Sequence, residues 1–359
     1  MHKLDQMTPN ERLQAFMTGK EMDRILAMPM LVSIAHRVVG MTHKEKRSSA
    51  ANEAAAQIGC YEKYGNDIII IEYGLHGIGR ALGSKMGDPE DSVPAVEEHI
   101  LKDLDDLDKL DFSLTTKEND PELQRTLEAC RICKEKVGHE VPIGVLISGP
   151  FTAAASVYPV EKILRATRKS PEKVHVLLRK VTDALKGIYV EYINEGVLIL
   201  QCDPISSGTL LHPKQYREFV KPYATELNEA INNAGGVNVL HMCGNITNTI
   251  HDIVETGGAM LSIDNVVDME FAKKEVGDKL PLLGNVDPIG ILLHGTEEEI
   301  HEAVRQTICK GYDSPKGFIL ASGCDITQNV PVESIDAFME AARKYGKYPL
   351  DKELLGIEN

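Results

Sequence analysis

No stretch of about 18 apolar residues occurs in the 359-residue sequence, so we expect no segment that spans a membrane. Residues 1–20 also lack the apolar core of a signal peptide, which predicts a cytoplasmic protein. An excess of basic residues is missing as well, since 39 Lys and Arg face 54 Asp and Glu, a net charge of −15. Nucleic acids and anionic membranes are therefore not expected partners, because both are bound mainly through cationic side chains.

Disulfide bonds are not expected either. The seven cysteines are odd in number and lie in a chain without a secretory signal. Metal binding and reduced, buried thiols are the two interpretations that remain open. Internal repeats and low-complexity segments are absent too, while 43% of the residues are hydrophobic, which is enough for a large core.

The sequence does contain a recurring pattern, in which a short apolar run is followed by a turn and then by a polar helical segment. The apolar runs number eight and cover residues 28–33, 67–72, 143–148, 197–202, 237–241, 259–264, 282–285 and 317–322. Each is almost continuously apolar, as a strand buried on both faces should be. Eight strands that alternate with helices predict an α/β fold, a (β/α)8 TIM barrel. An open doubly wound sheet is the alternative, but residues 34–40 lack the glycine-rich phosphate turn that it needs.

We predict a single barrel domain over residues 1–359, with an N-terminal helical extension over 1–26. Helices are expected between the strands, at residues 161–169, 171–195, 212–234, 246–256 and 296–310. Residues 73–142 are too long for a simple connection and form an insertion after the second strand. An insertion at that point lies at the C-terminal mouth of a barrel, where it can cover an active site.

Three residues at predicted strand ends have the chemistry of metal ligands. His241 and Cys243 are two positions apart at the end of the fifth strand, so their side chains point to the same side. Cys324 follows the eighth strand, and closure of the barrel brings that strand end to the same mouth. One histidine and two cysteines leave one position open on a tetrahedral zinc ion, as in catalytic zinc sites. Buried, packed cysteines are the alternative interpretation.

Polar residues at other strand ends are candidates for supporting roles. Glu72, Asp203, Asp264 and Asp287 end or follow strands, and each can bind substrate, complete the metal site or hold the second nitrogen of His241. We assign Asp203 and Asp264 to catalysis, and Glu72, Asn285 and Asp287 to cofactor binding. The alternative is that these residues cap helices or bind loop amides, as turn residues commonly do.

Several motifs resemble the uroporphyrinogen decarboxylase superfamily. They include Ser148–Thr152, Asp203-Pro204, Pro213–Tyr223, Ser262–Asp264, Gly284–Pro288, Gly295–Ile300 and Ser322–Asp325. The resemblance runs from Thr8 to Tyr348 and implies a (β/α)8 barrel. Within the superfamily, His241, Cys243 and Cys324 resemble the zinc ligands of the methylcobamide:coenzyme M methyltransferases.

That resemblance implies a zinc-dependent methyltransferase with two substrates. One is a methyl-corrinoid of the cobalamin type, carried by a corrinoid protein, and the other is a small thiol such as coenzyme M. A second hypothesis is the donor-side reaction, in which a methoxy, methylamine or methylthio compound gives its methyl group to a corrinoid protein. A third is a non-enzymatic barrel in which zinc is structural. True decarboxylases carry an arginine-rich segment near the first strand, whereas residues 28–37 contain one arginine, so decarboxylation is not expected.

Overall fold

The computed structural model describes residues 1–357, which contain one curved parallel sheet and one small hairpin. The sheet has seven strands in the order β1-β4-β5-β6-β7-β8-β9, and β2 pairs with β3 in the antiparallel hairpin. The strands are β1 Ile69–Gly74, β2 Lys85–Met86, β3 Val96–Glu98, β4 Ile143–Ser148, β5 Leu198–Cys202, β6 Asn238–Met242, β7 Met260–Ile263, β8 Leu282–Val286 and β9 Phe318–Ser322. This arrangement confirms the predicted α/β barrel fold.

The helices cover the outside of the sheet and its two ends. Along residues 1–357 they are α1 Pro9–Thr18, α2 Ala35–Val38, α3 His43–Arg47, α4 Ala50–Tyr64, α5 Gly77–Leu82, α6 Pro121–Val137, α7 Pro150–Val157, α8 Val160–Lys169, α9 Pro171–Asn194, α10 Pro213–Gln215, α11 Lys221–Asn233, α12 Ile250–Val254, α13 Met269–Val276, α14 Glu297–Gly311, α15 Val332–Tyr345 and α16 Lys352–Leu355. A π-helical turn, Tyr216–Val220, joins α10 to α11. None of these helices is long and apolar enough to cross a bilayer.

The gap between β9 and β1 is bridged by an extended segment instead of a regular strand. Leu320 donates its amide to Leu26 O at 2.9 Å and accepts from the Met28 amide at 2.8 Å. On the other side, the Asp67 amide donates to Ala27 O at 2.9 Å. These bonds connect the two edges of the curved sheet, so the backbone closes the barrel at the position predicted for the first strand.

The predicted strand at residues 28–33 is therefore wrong in its extent, and the reason is where its amides bond. Pro29 has no N–H to contribute to a strand ladder. The amides of Val32 and Ser33 donate to Asp325 Oδ1 at 3.0 and 3.2 Å instead of to a neighbouring strand. The apolar composition of residues 28–33 correctly predicted that they are buried. Several of their amides, however, bond to side chains instead of to the backbone of a neighbouring strand.

A buried charge network holds this closing segment in place. Asp67 accepts from Arg24 Nη1 at 2.6 Å and from the Ala27 amide at 2.6 Å, and it also pairs with Arg12. All three charged side chains are at least 97% buried. Because buried charges are tolerated only when they are paired, these contacts fix the start of the barrel to the loop before β1.

The insertion after β1 forms one wall of the barrel mouth. It contains α5, the β2–β3 hairpin and α6. The Gly79 amide donates to Ser156 Oγ at 2.9 Å, and the Leu101 amide donates to Val157 O at 3.2 Å, so the insertion is bonded to α7. Several of its residues, including His76 and Arg80, line the cavity at the barrel mouth.

Candidate metal centre

His241, Cys243 and Cys324 meet at the carboxyl ends of β6 and β9. His241 is the fourth residue of β6 and lies between Cys202 on β5 and Ser262 on β7. Cys243 follows the last residue of β6, and Cys324 lies two positions after the end of β9. Curvature of the sheet thus brings residues from two separate strands to one point, as the sequence predicted.

The ligand atoms of the three residues form a compact cluster. His241 Nε2 lies 3.2 Å from Cys243 Sγ, and the two sulfur atoms are 3.5 Å apart. All three ligand atoms lie within 4.8 Å of one another. Among residues 1–357, no fourth histidine, cysteine or carboxylate joins this cluster.

The second ring nitrogen of His241 is held by a serine. Nδ1 lies 3.0 Å from Ser262 Oγ on the adjacent strand, and the histidine is 2% exposed. A hydrogen bond to one ring nitrogen fixes the orientation of the ring and leaves the other nitrogen available to a metal. One of the strand-end carboxylates was a candidate for this role, but a hydroxyl occupies it.

The two thiols are electrostatically different. The hydrogen bond between the two sulfur atoms, followed by the effect of His241, lowers the pKa of Cys324. The same sulfur–sulfur hydrogen bond and burial raise the pKa of Cys243. The pair is therefore ready to carry one negative charge, and a bound cation would favour loss of the second proton.

The donor set fits a zinc ion. Zinc binds thiolate sulfur at about 2.3 Å, which places two sulfurs of a tetrahedral site about 3.8 Å apart. The observed separation of 3.5 Å between Cys243 and Cys324 is close to that value. Soft sulfur ligands with one imidazole also select zinc over magnesium or calcium, which prefer oxygen ligands.

The cluster lies in the wall of a cavity of about 520 Å³. The N-terminal third of the chain supplies much of the remaining wall, from the closing segment, α3, β1 and the insertion. The wall includes Met30, Val32, Lys46, Glu72, His76, Arg80, Arg125, Cys202, His241, Cys243, Cys324 and Asp325. Three candidate metal ligands thus face a space large enough for a small substrate.

Comparison with known proteins identifies the family of this chain. The family model described as Uroporphyrinogen decarboxylase (URO-D) matches residues 8–345. The chain belongs to the URO-D family. The resemblance inferred from the motifs is confirmed, and the match includes every candidate site residue.

Several similar proteins are methyltransferases. The chain is 28% identical over 95% of its length to Methylcobamide:CoM methyltransferase MtbA of Methanosarcina acetivorans, and 27% identical over 95% to Methylcobamide:CoM methyltransferase MtaA of Methanosarcina barkeri. Each alignment covers 99% of the relative. A solved methyltransferase from Methanosarcina mazei superposes with a TM-score of 0.81 at 25% identity, covering 95% of this chain and 99% of that one.

Asp264 and Asn285, two of the predicted site residues, hold the loops next to the His241–Cys243–Cys324 cluster in this URO-D family barrel. Asp264 Oδ2 accepts from the Gly244 amide at 2.7 Å, directly after Cys243. Asn285 Nδ2 donates to Asp264 O at 3.1 Å and to Val267 O at 2.7 Å. Both side chains are therefore used to hold the loops that follow β6 and β7.

Glu72 is the predicted residue that the structure brings into the cavity wall. Its Oε2 atom lies 3.4 Å from Lys46 Nζ, and its side chain is 18% exposed. Lys46 itself is buried and donates to Val32 O at 2.8 Å. Glu72 thus shares one cavity with His241, Cys243 and Cys324.

Asp203 and Asp287 are not brought to the cavity formed by the described residues. Asp203 is fully buried and accepts from Thr152 N at 2.8 Å and Thr152 Oγ1 at 2.5 Å, at the start of α7. Burial raises the pKa of its carboxyl to about 6. Asp287 accepts from the amides of Ile289 and Gly290 at 2.8 and 2.9 Å, which stabilises the turn after β8. Both positions favour the capping roles that the sequence left open as an alternative.

Sequence reasoning missed Ser262, Asp325 and Lys46. Asp325 is half-buried next to Cys324, and desolvation of its carboxyl group raises its pKa to about 7. It accepts from the Val32 amide, so it ties a metal-ligand loop to the closing segment. Position next to a proposed ligand was a signal for Asp325, whereas Lys46 lies on a short helix whose direction the sequence does not reveal.

Proposed function

We propose that this protein is a zinc-dependent corrinoid methyltransferase. It moves a methyl group between a methyl-corrinoid, carried by a partner corrinoid protein, and a small thiol such as coenzyme M. The observation that carries the proposal is the His241–Cys243–Cys324 cluster, which has no fourth ligand among the described residues and faces a cavity. The names of the similar methyltransferases support the choice of reaction.

The chemistry of the ligands suits a thiol substrate. Cys243 and Cys324 would hold the metal as thiolates, and His241 would hold it through Nε2. A bound zinc ion would supply Lewis acidity that keeps a thiol in its reactive thiolate form near neutral pH. The two cysteinates cancel the double positive charge of the ion, so the substrate sulfur retains its electron density for attack.

The transfer itself is a displacement at carbon. A lone pair of the thiolate sulfur forms the bond to the methyl carbon while the cobalt–carbon bond breaks. The electron pair of that bond stays with cobalt, which changes from Co(III) to Co(I). The proton of the thiol leaves before this step, because the thiolate is the nucleophile.

The structure gives a physical reason to disfavour decarboxylation of a porphyrin tetracarboxylate. Arg37 is the one arginine in the segment near the barrel start, and it donates to Gln328 O at 2.6 Å and Val330 O at 3.0 Å. It does not belong to the cavity wall among the described residues. Four carboxylates would need several free cationic partners there. Lys44, Lys46, Arg47 and Arg125 of the wall are already paired with carboxylates of the protein.

The test is an anaerobic absorption spectrum of methylcob(III)alamin mixed with the zinc-loaded protein and coenzyme M. We expect loss of the methyl-cobalt band and growth of the cob(I)alamin bands. The Cys324→Ala variant is the matched control and should give no spectral change. Full activity in metal-free protein, or in this variant, would contradict the proposal.

A second result identifies the alternative reaction. If zinc-containing protein leaves methylcob(III)alamin unchanged with every thiol tried, the acceptor-side proposal fails. Cob(I)alamin should then be offered with methylthio, methoxy and methylamine compounds. Formation of the methyl-cobalt band in that assay would establish the donor-side reaction.

A further inference from the structure

We infer that Arg80 and His76 form a subsite for the anionic end of the substrate, a sulfonate or carboxylate group. The subsite lies in the same cavity as the candidate metal centre. This inference rests on the proposed function for the thiol end of the substrate. The residues that line the cavity are the basis for the anionic end.

Arg80 has hydrogen-bonding capacity that the protein does not use. Its Nε and Nη2 atoms are buried and have no hydrogen-bond partner among residues 1–357. Nη1 makes a long contact of 3.4 Å to Tyr73 O. The guanidinium lies 4.9 Å from the centre of the Tyr73 ring, which orients its plane. A buried donor without a partner is uncommon in proteins and calls for an explanation such as a missing ligand.

The carboxylate next to Arg80 does not meet this need. Asp120 Oδ2 is 3.8 Å from Arg80 Nη2, beyond hydrogen-bond distance. The same carboxylate accepts from Tyr73 OH at 2.7 Å and from the Glu122 amide at 2.9 Å. Asp120 is therefore engaged in capping α6 and holding Tyr73, and Arg80 keeps donors for another group.

The other cations in the cavity wall differ from Arg80 in this respect. Each has a carboxylate within 3.4 Å, and the pairs are Lys44–Asp88, Lys46–Glu72, Arg47–Asp88 and Arg125–Glu53. Arg125 has a second carboxylate partner in Glu122, at 2.6 Å. Arg80 is thus the wall cation whose charge is least compensated by the protein.

His76 adds a second unpartnered group beside Arg80. Its Nδ1 atom is buried and has no hydrogen-bond partner among residues 1–357. The Arg80 amide donates to His76 O at 2.9 Å, and residues four apart on a helix lie on the same side. Burial lowers the pKa of His76, so the neutral ring offers one N–H near neutral pH.

These donors match a planar or tetrahedral oxyanion. The guanidinium group presents two parallel N–H bonds that fit two oxygens of one anionic group, and a neighbouring imidazole can donate to a further oxygen. A thiol that carries such a group at its other end would place its sulfur and its charge on different parts of one cavity. A neutral thiol would leave the donors of Arg80 without a partner.

The first experiment measures anion binding without the thiol and without turnover. Ethanesulfonate and propionate are titrated by calorimetry into the wild-type protein, Arg80→Gln, Arg80→Lys and the control Arg131→Gln, which removes an exposed arginine on α6. We expect Arg80→Gln to weaken binding by about 10-fold to 100-fold, because hydrogen bonds to charged groups are lost. Arg80→Lys should lose less, and Arg131→Gln should bind like the wild type.

The difference between the two probes identifies the anionic group, since the tighter one marks the natural chemistry. Thermal unfolding of each variant checks that the fold is kept. Equal affinity in the wild type and both Arg80 variants, or no binding of either probe to the wild type, would overturn the inference.

The second experiment separates this inference from the proposed function. In the methyl-transfer assay, Arg80→Gln should raise KM about 10-fold or more for 2-mercaptoethanesulfonate and leave kcat nearly unchanged, because ground-state binding is lost. KM for uncharged 2-mercaptoethanol should stay the same. If the wild type binds the anions through Arg80 but transfers no methyl group, the proposed function alone is refuted. If methyl transfer occurs and Arg80→Gln leaves KM unchanged for both thiols, this inference alone is refuted.

Discussion

The Nδ1 atom of His241 lies 3.0 Å from the hydroxyl oxygen of Ser262 on the neighbouring strand. This contact turns Nε2 toward Cys243, 3.2 Å away. A serine is neutral, so it orients the imidazole without adding negative charge to a site that already contains two thiols. The strand register places these residues directly opposite each other, and the barrel backbone therefore sets the orientation of the first metal ligand.

Replacement of Ser262 by alanine should weaken metal binding while the protein stays folded. The ring of His241 would lose its fixed orientation, and changes of this kind lower metal affinity by about 10-fold to 100-fold. A competition titration with a zinc chelator measures the effect. Ser314→Ala is the control, because it removes a buried hydroxyl that has no partner in the described part of the chain. Equal zinc affinity in the two variants would show that Ser262 does not position His241.

Removal of a metal ligand should have a larger effect than removal of its support. We expect Cys243→Ala and Cys324→Ala to lose the zinc ion that we propose for each chain and to lower methyl transfer by at least about 100-fold. Metal analysis and the absorption assay measure these losses. Cys309→Ala, on α14 away from the cluster, should keep both metal and activity. A wild-type zinc content in either ligand variant would contradict the assignment.

Asp67 should be essential for stability because it pairs with two buried arginines. Asp67→Ala leaves Arg12 and Arg24 without this partner, and breaking a buried ion pair costs about 3 to 5 kcal/mol. Urea unfolding measures the free energy. In the matched control Asp88→Ala, the lost pairs are exposed, and we expect less than about 1 kcal/mol. Similar losses in both variants would mean that the closing segment does not depend on this network.

Asp203 should make stability depend on pH in the direction opposite to a salt-bridged aspartate. Burial raises its pKa to about 6 in the folded protein, above the ordinary value of 3.8. The folded state therefore binds the proton more tightly, and the free energy of unfolding rises as the pH falls through 6. Relative to Asp203→Asn, the wild type should gain about 1 kcal/mol between about pH 7 and pH 5. Denaturant unfolding at both pH values measures this gain, and a constant difference would contradict it.

The alternation of apolar runs and helices predicted the barrel, because parallel strands that are buried on both faces consist almost entirely of apolar residues. Seven of the eight predicted runs contain a strand of the sheet. Residues 28–33 do not, because the amides of Met30, Val32 and Ser33 bond to side chains that only the folded structure brings near. The predicted helix at residues 246–256 is shorter, Ile250–Val254, since a turn at Thr247–Thr249 precedes it.

The convergence of His241, Cys243 and Cys324 could also be predicted from the sequence, because residues at the strand ends of a barrel lie around one mouth. The i, i+2 spacing of His241 and Cys243 and the strand-end position of Cys324 were sufficient. Arg80 was not within reach, because it belongs to an insertion without strong periodicity. Its burial depends on packing against α7 and Tyr73, contacts between segments that composition does not encode.

The seam that closes the barrel has a consequence for how the protein folds. The Met30 amide donates to Ser322 Oγ across 292 residues of sequence. Contacts between such distant parts of a chain form late, because the intervening loop must be ordered first. Cys324 lies just beyond this seam, whereas His241 and Cys243 lie together on one strand. A chain that is still folding therefore holds two ligands without the third, and uptake of metal during refolding should report the moment at which the barrel closes.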